Sequence, residues 1–190
     1  MMEHQKEEVA MLTPQDCVLV IVDVQGKLAQ IMHQAETMTS KLETLIKAAE
    51  LFEIPIVWLE QLPEKLGSTS QSLQTLLSVK HQPIAKAHFS AWHCEAFREA
   101  MSSHDRKQVL IAGIETHICV YQTCRDLLDN YFEVNVIVDG VSSRTAENKQ
   151  LGIQMMTQYG AKVTNCESLL FELQQHASGE RFKALLKMIK

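Results

Sequence analysis

"CVLVIVDVQ", residues 17–25, begins with six apolar residues that run unbroken into a carboxylate. A strand with one face in water alternates apolar and polar residues, whereas a strand buried on both faces does not. The run therefore predicts a strand over Cys17–Asp23 at the centre of a parallel sheet, with helices packed above and below it.

The flanking sequence repeats this logic. Met38, Leu42, Leu45, Ile46, Ala49 and Phe52 recur at helical spacing and predict a helix over Glu36–Phe52. "IPIVWL" gives a second strand over Ile54–Leu59, with Pro55 near its beginning, where a missing N–H is tolerated. Pro63 and Gly67 punctuate the loop "EQLPEKLGSTSQ", residues 60–71. The spacing then predicts a helix over Ser72–Val79, a short strand over Pro83–Lys86, a helix over Glu95–Ser102 and a strand over Gln108–Ala112. A helix over Val120–Asn130 and a strand over Val134–Asp139 follow, then a helix over Glu147–Tyr159 stopped by Gly160. A sixth strand, Ala161–Thr164, and helices over Glu167–His176 and Glu180–Ile189 complete the chain. Strands alternating with helices imply right-handed βαβ crossovers, so the expected architecture is a three-layer α/β/α fold with a mostly parallel sheet. Residues 11–190 read as one domain, and residues 1–10, "MMEHQKEEVA", as a flexible polar arm.

Composition narrows the function classes. The 190 residues are 46% hydrophobic and 22% charged, as in an ordinary globular domain with a full core. A net charge of −5 with both signs interspersed offers no electrostatic track for nucleic acid. No apolar run approaches the roughly 18 residues of a membrane-spanning helix. The polar N-terminus is no signal peptide, so a cytoplasmic protein is expected. Five cysteines at 17, 94, 119, 124 and 166, without a CxxC spacing, argue against a disulfide framework and a zinc ribbon. Cys17 and Cys166 read as small buried hydrophobes inside strands.

In such a sheet the ligand lies beyond the carboxyl ends of the strands. Those ends carry Asp23 and Gln25; Glu60 and Gln61; Lys86 and His88; Glu115, Thr116, His117 and Cys119; and Asp139. "GIETHICV", residues 113–120, puts Cys119 on a strand-to-helix turn. There the positive end of the helix dipole and the Lys86 ammonium predict a lowered thiol pKa. Asp23 can take the thiol proton and later return it to a leaving group, while free N–H groups at the helix start hold an oxyanion. The set suits acyl transfer to water through a thioester.

Other chemistries lack their signatures. No GxGxxG follows the first strand, and "VQGKL" lacks the spacing of a phosphate loop. His117 is too close in sequence to Cys119 to face it as a dyad, and His88 and His93 have no partner at metal-ligand spacing, so no metal and no cofactor is expected. Each candidate also has a plainer reading: an aspartate that caps a helix, a lysine whose stem packs on apolar neighbours, a cysteine in the core.

Four segments, "VIVDVQ" (residues 20–25), "AKAHFSAW" (85–92), "GIETHICV" (113–120) and "VIVDGVSSR" (136–144), together resemble the isochorismatase-like cysteine hydrolase family, in its metal-independent branch. The resemblance implies a six-stranded parallel sheet of order 3-2-1-4-5-6 and a catalytic triad of Asp23, Lys86 and Cys119. It further implies a non-proline cis peptide at Ile114–Glu115, oxyanion donors at the Glu115 and Cys119 N–H groups, and a homodimer or larger homo-oligomer. The Asp-x-His that metal-dependent nicotinamidases of the family carry after strand two is replaced here by "LEQLPEKLGS". The expected substrate is a small amide-type molecule, with Gln25, Phe89 and Trp92 as pocket walls. The alternatives are a vinyl-ether hydrolase that does not use the cysteine, a catalytically idle interaction protein of the same fold, and a redox-sensing thiol.

Overall fold

Every residue of β1 (Cys17–Val22) is buried, because the strand lies in the middle of the sheet with a helical layer on each side. The computed structural model describes residues 11–189; the expected arm at residues 1–10 lies outside the described residues. Around β1 stand β2 (Ile56–Gln61), β3 (Ile84–Lys86), β4 (Gln108–Ile114), β5 (Glu133–Ser142) and β6 (Lys162–Thr164). All five strand pairs are parallel, in the order β3-β2-β1-β4-β5-β6. This is the expected sheet.

The unbroken apolar run has a direct cause in the packing. Cys17, Leu19 and Ile21 enter one core cluster, and Val18, Val20 and Val22 enter a second on the opposite face. The first core is closed by α2 (Ala35–Leu51), α4 (Gln71–Leu77), α8 (Cys166–Gln174) and α9 (Glu180–Met188), which supply Met38, Leu42, Leu73, Leu77, Leu170 and Leu185. The second is closed by α5 (Glu95–His104), α6 (Tyr121–Asp129) and α7 (Ala146–Tyr159), through Phe97, Met101, Leu127 and Met156. Burying each such side chain contributes about 1.5–3 kcal/mol, so a polar residue at any of the six β1 positions disrupts one core or the other. No helix among the described residues is long and apolar enough to cross a membrane.

Several elements differ from the sequence reading. Two short helices go beyond it: α3 (Pro63–Leu66) lies in the stretch expected to be loop, and α1 (Gly26–Gln30) in one the sequence reading left unassigned. Both fall below the length at which periodicity is visible. β5 continues past Asp139 to Ser142, and its pairing with β4 shifts register between Ile111 and Gly113. Cys166 is not inside a strand: it is the first residue of α8. Its N–H donates to Asp139 Oδ1 at 2.8 Å, and the Asn165 side chain accepts from Ser168 N at 2.8 Å. Asp139 therefore satisfies a helix end and takes no place among the reactive strand ends.

Candidate active site

Three strand ends deliver three reactive side chains to one place. Asp23 follows β1 directly and holds a left-handed backbone conformation, φ 51°. Lys86 is the last residue of β3, and Cys119 lies in a π-helical turn, Thr116–Val120, between β4 and α6. All three are buried; Cys119, at 8% exposure, keeps the widest opening.

Close backbone approach makes this assembly possible. Gly113, with φ 119°, lies so near β1 that a Cβ there would sit 2.1 Å from the Val22 carbonyl oxygen. On the other side Gly152 lets α7 rest on the turn itself, since a Cβ there would fall 2.6 Å from the Thr116 carbonyl carbon. The Ile114–Glu115 peptide bond is cis, as the family resemblance implies. Two side-chain pairs tie the turn to the segment after β5. Glu115, buried, forms an ion pair with Arg144 Nε at 3.2 Å, and His117 Nδ1 meets Ser143 Oγ at 2.9 Å. His117 is thus occupied away from Cys119.

Lys86 Nζ donates to Asp23 Oδ2 at 2.7 Å and to Gln61 Oε1 at 2.6 Å, and lies 3.1 Å from the carbonyl oxygens of His88 and Phe89. Four acceptors and no donor surround it, so it sits there as an ammonium. Asp23 Oδ1 has no hydrogen-bond partner. The Cys119 thiol and the Asp23 carboxylate are near enough for each to shift the other's pKa. Thr116 Oγ1, in the same turn, is also buried without a partner.

The electrostatics correct one expectation. Cys119 is not a lowered thiol: burial pushes its pKa up to about 12, with the Asp23 and Glu115 carboxylates adding to the rise and Lys86 opposing it. Lys86 acts in the expected direction and is outweighed by desolvation. Burial also raises Asp23 above the usual carboxylate range, against the pull of Lys86. A protonated thiol and a carboxylate of raised basicity thus neighbour each other, an arrangement that allows a proton to pass from one to the other.

The expected pocket walls separate. Gln25 is fully buried, and its amide serves the backbone: Oε1 accepts from Gln61 N at 2.6 Å, and Nε2 donates to Gln61 O at 3.0 Å and Gly67 O at 2.6 Å. It has no surface left for a ligand. Trp92 is half-buried, its ring edge-on to Phe97 and Phe132 at centroid distances of 6.4 and 5.9 Å. Phe89 is exposed, and its carbonyl joins the Lys86 cradle. Gln61, a strand-end residue given no role from sequence, proves to be a direct partner of Lys86; β2 and β3 place the two side by side in register. Among the described residues no group of three or more His, Cys, Asp and Glu side chains comes together as a metal cluster.

Comparison with known proteins agrees with this fold. A secreted isochorismatase effector from Phytophthora sojae is 38% identical over 184 residues, covering 94% of this chain and 87% of that protein. Among solved structures, the MAR1 ribonuclease of Caenorhabditis elegans superposes with a TM-score of 0.88 at 31% identity, over 95% of this chain and 92% of that one. The YcaC gene product of Escherichia coli, described as an octameric hydrolase of unknown specificity, shares the fold with a TM-score of 0.88 at 20% identity, covering 94% of this chain and 90% of its own. Residues 17–168 match the isochorismatase domain, and the chain belongs to the isochorismatase family.

Proposed function

We propose that this protein is a cysteine hydrolase that cleaves a small amide-type molecule through a thioester on Cys119. The observation that carries the reading is a buried carboxylate with one oxygen held by an ammonium and the other without a partner, neighboured by a buried thiol. The Cys119 proton passes to Asp23 Oδ1 as sulfur attacks the carbonyl carbon, and the oxyanion is held by the N–H groups of Glu115 and Cys119. Asp23 returns the proton to the leaving nitrogen as the C–N bond breaks. Water then attacks the thioester, giving a proton to Asp23; the acid leaves, and the proton returns to sulfur. Lys86 keeps its proton throughout and steadies Asp23 as its charge changes. Phe89 and Trp92 border the approach to the thiol.

The homo-oligomer and the cytoplasmic location belong to the same proposal. Five free thiols with no disulfide fit a reducing compartment. The net charge of −5 speaks against the RNA-cleaving activity named for the C. elegans neighbour, since RNA binding draws on cationic surface.

The test is acyl transfer from p-nitrophenyl acetate. A burst of p-nitrophenolate with an acetyl group on the Cys119 peptide is expected, absent in Cys119→Ala. An unmodified Cys119 with no burst would sink the reading. The name of the Phytophthora relative favours a second reading, vinyl-ether hydrolysis, in which Asp23 supplies the proton and sulfur takes no part. Turnover of isochorismate that survives Cys119→Ala would select it.

A further inference from the structure

Lys86 has three N–H groups, and Gln61 accounts for one of them. Asp23 Oδ2 takes a second at 2.7 Å, and the carbonyls of His88 and Phe89, both at 3.1 Å, share the third. Gln61 is fixed in turn. Its Nε2 donates to the Ala87 carbonyl at 2.9 Å, which settles which end of the amide faces the lysine. A flipped amide would put NH2 against an ammonium and oxygen against oxygen. Its main chain is gripped on both sides by the fully buried amide of Gln25. Gln61, too, is buried, at 7% exposure.

The choice of an amide at this position has an electrostatic meaning. A carboxylate would satisfy the same N–H but would set a second negative charge against one ammonium. The neighbouring Glu60 shows how the fold handles a carboxylate here: it is turned to Thr69, accepting from its N and Oγ1 at 2.7 Å each. The charges of Lys86 and Glu60 bear on Asp23, and those of Lys86, Asp23 and Glu115 bear on Cys119. Lys86 is the cation common to both.

We infer that Gln61 is a positioning residue of the reaction: a neutral acceptor, braced by Gln25, that aims the Lys86 ammonium at Asp23 without cancelling its charge. The inference rests on the cysteine-hydrolase reading. Placing a carboxylate at position 61 divides the field of Lys86, so the basic form of Asp23 becomes harder to reach. Gln61→Glu is therefore expected to move the rising limb of the pH profile for Cys119 acetylation by p-nitrophenyl acetate upward by about one pH unit. Gln61→Met, of similar length but without the acceptor, is expected to slow acetylation at the optimum about tenfold. An unmoved limb in the first variant, or a wild-type rate in the second, overturns the inference. A thermal-denaturation cycle over Gln61→Met, Lys86→Met and the double variant needs no reactive thiol. The Tm loss of the double variant should fall short of the sum of the single losses, and additive losses overturn the inference too. If wild-type Cys119 takes no acetyl group, the cysteine-hydrolase reading has failed, and the denaturation cycle still decides whether Gln61 and Lys86 act as a unit.

Discussion

Cys119 and Cys166 look alike by every local measure. Each is buried, each follows a strand and lies at or just ahead of a helix, and burial pushes each thiol up to about 12. Each also has an aspartate close by. The difference lies in what that aspartate is doing. Asp139 Oδ1 accepts from the backbone N–H of Cys166, and its role is to complete a helix end. Asp23 has one oxygen on an ammonium and the other without a partner. In the proposed reaction the nucleophile is therefore distinguished by an uncommitted carboxylate oxygen nearby and not by the thiol's own pKa.

Substitutions that separate the two cysteines should show the largest effect. Cys119→Ala should abolish acetyl-enzyme formation, whereas Cys166→Ala should keep it and reduce stability by about 1–2 kcal/mol through the cavity left in the first core. Burst amplitudes and denaturant midpoints of the two variants would check this, and loss of the burst in Cys166→Ala would break the contrast. The aspartates come next. Asp23→Asn should lower the acylation rate by about 10²–10⁴-fold, the range of a positioned general base. Asp139→Ala should leave the rate near wild type and lower stability by about 0.5–2 kcal/mol, as the loss of a helix-end acceptor does.

Gly152→Ala sharpens the comparison from the packing side. The added methyl meets the backbone of the Cys119 turn, which cannot swing aside as a side chain can, so about 1–3 kcal/mol of stability should be lost, together with part of the acylation rate. The smallest effect is the response of stability to alkaline pH. Cys17, Cys119, Cys124 and Cys166 have folded-state pKa values of about 12, above the ordinary thiol value of 9.0. Each contribution is complete below pH 9, and is lost as pH rises from there toward 12, because the unfolded thiols ionise first. Tm should fall across that window, less steeply in Cys124→Ala; equal slopes would show that Cys124 is not held protonated.

The fold was legible because its signals are long. An unbroken run such as Cys17–Val22 has few structural interpretations, and helical stripes such as Met38–Phe52 have fewer once placed between strands. Asp23, Lys86 and Cys119 could be placed at or just beyond three strand ends for the same reason. What could not be read were features that depend on two segments at once. Gln25 stands beside Asp23 in sequence and looks like a wall of the site, yet the chain turns it inward to bind Gln61 and Gly67. Gln61 carries no motif of its own, and only the pairing of β2 with β3 brings it to Lys86. The thiol's pKa was misread because a helix dipole and a lysine are visible in sequence, while the depth of burial that outweighs them is a property of the assembled layers.

The saturation of Lys86 has a consequence for selectivity among electrophiles. An amine is nucleophilic only through a free lone pair, and the Nζ pair here holds a proton that is itself directed at an acceptor, on a side chain with 0% exposure. Aldehydes, which condense with free amines, and amine-directed acylating agents find no handle on it. In the proposed reaction, covalent capture is thereby left to the sulfur.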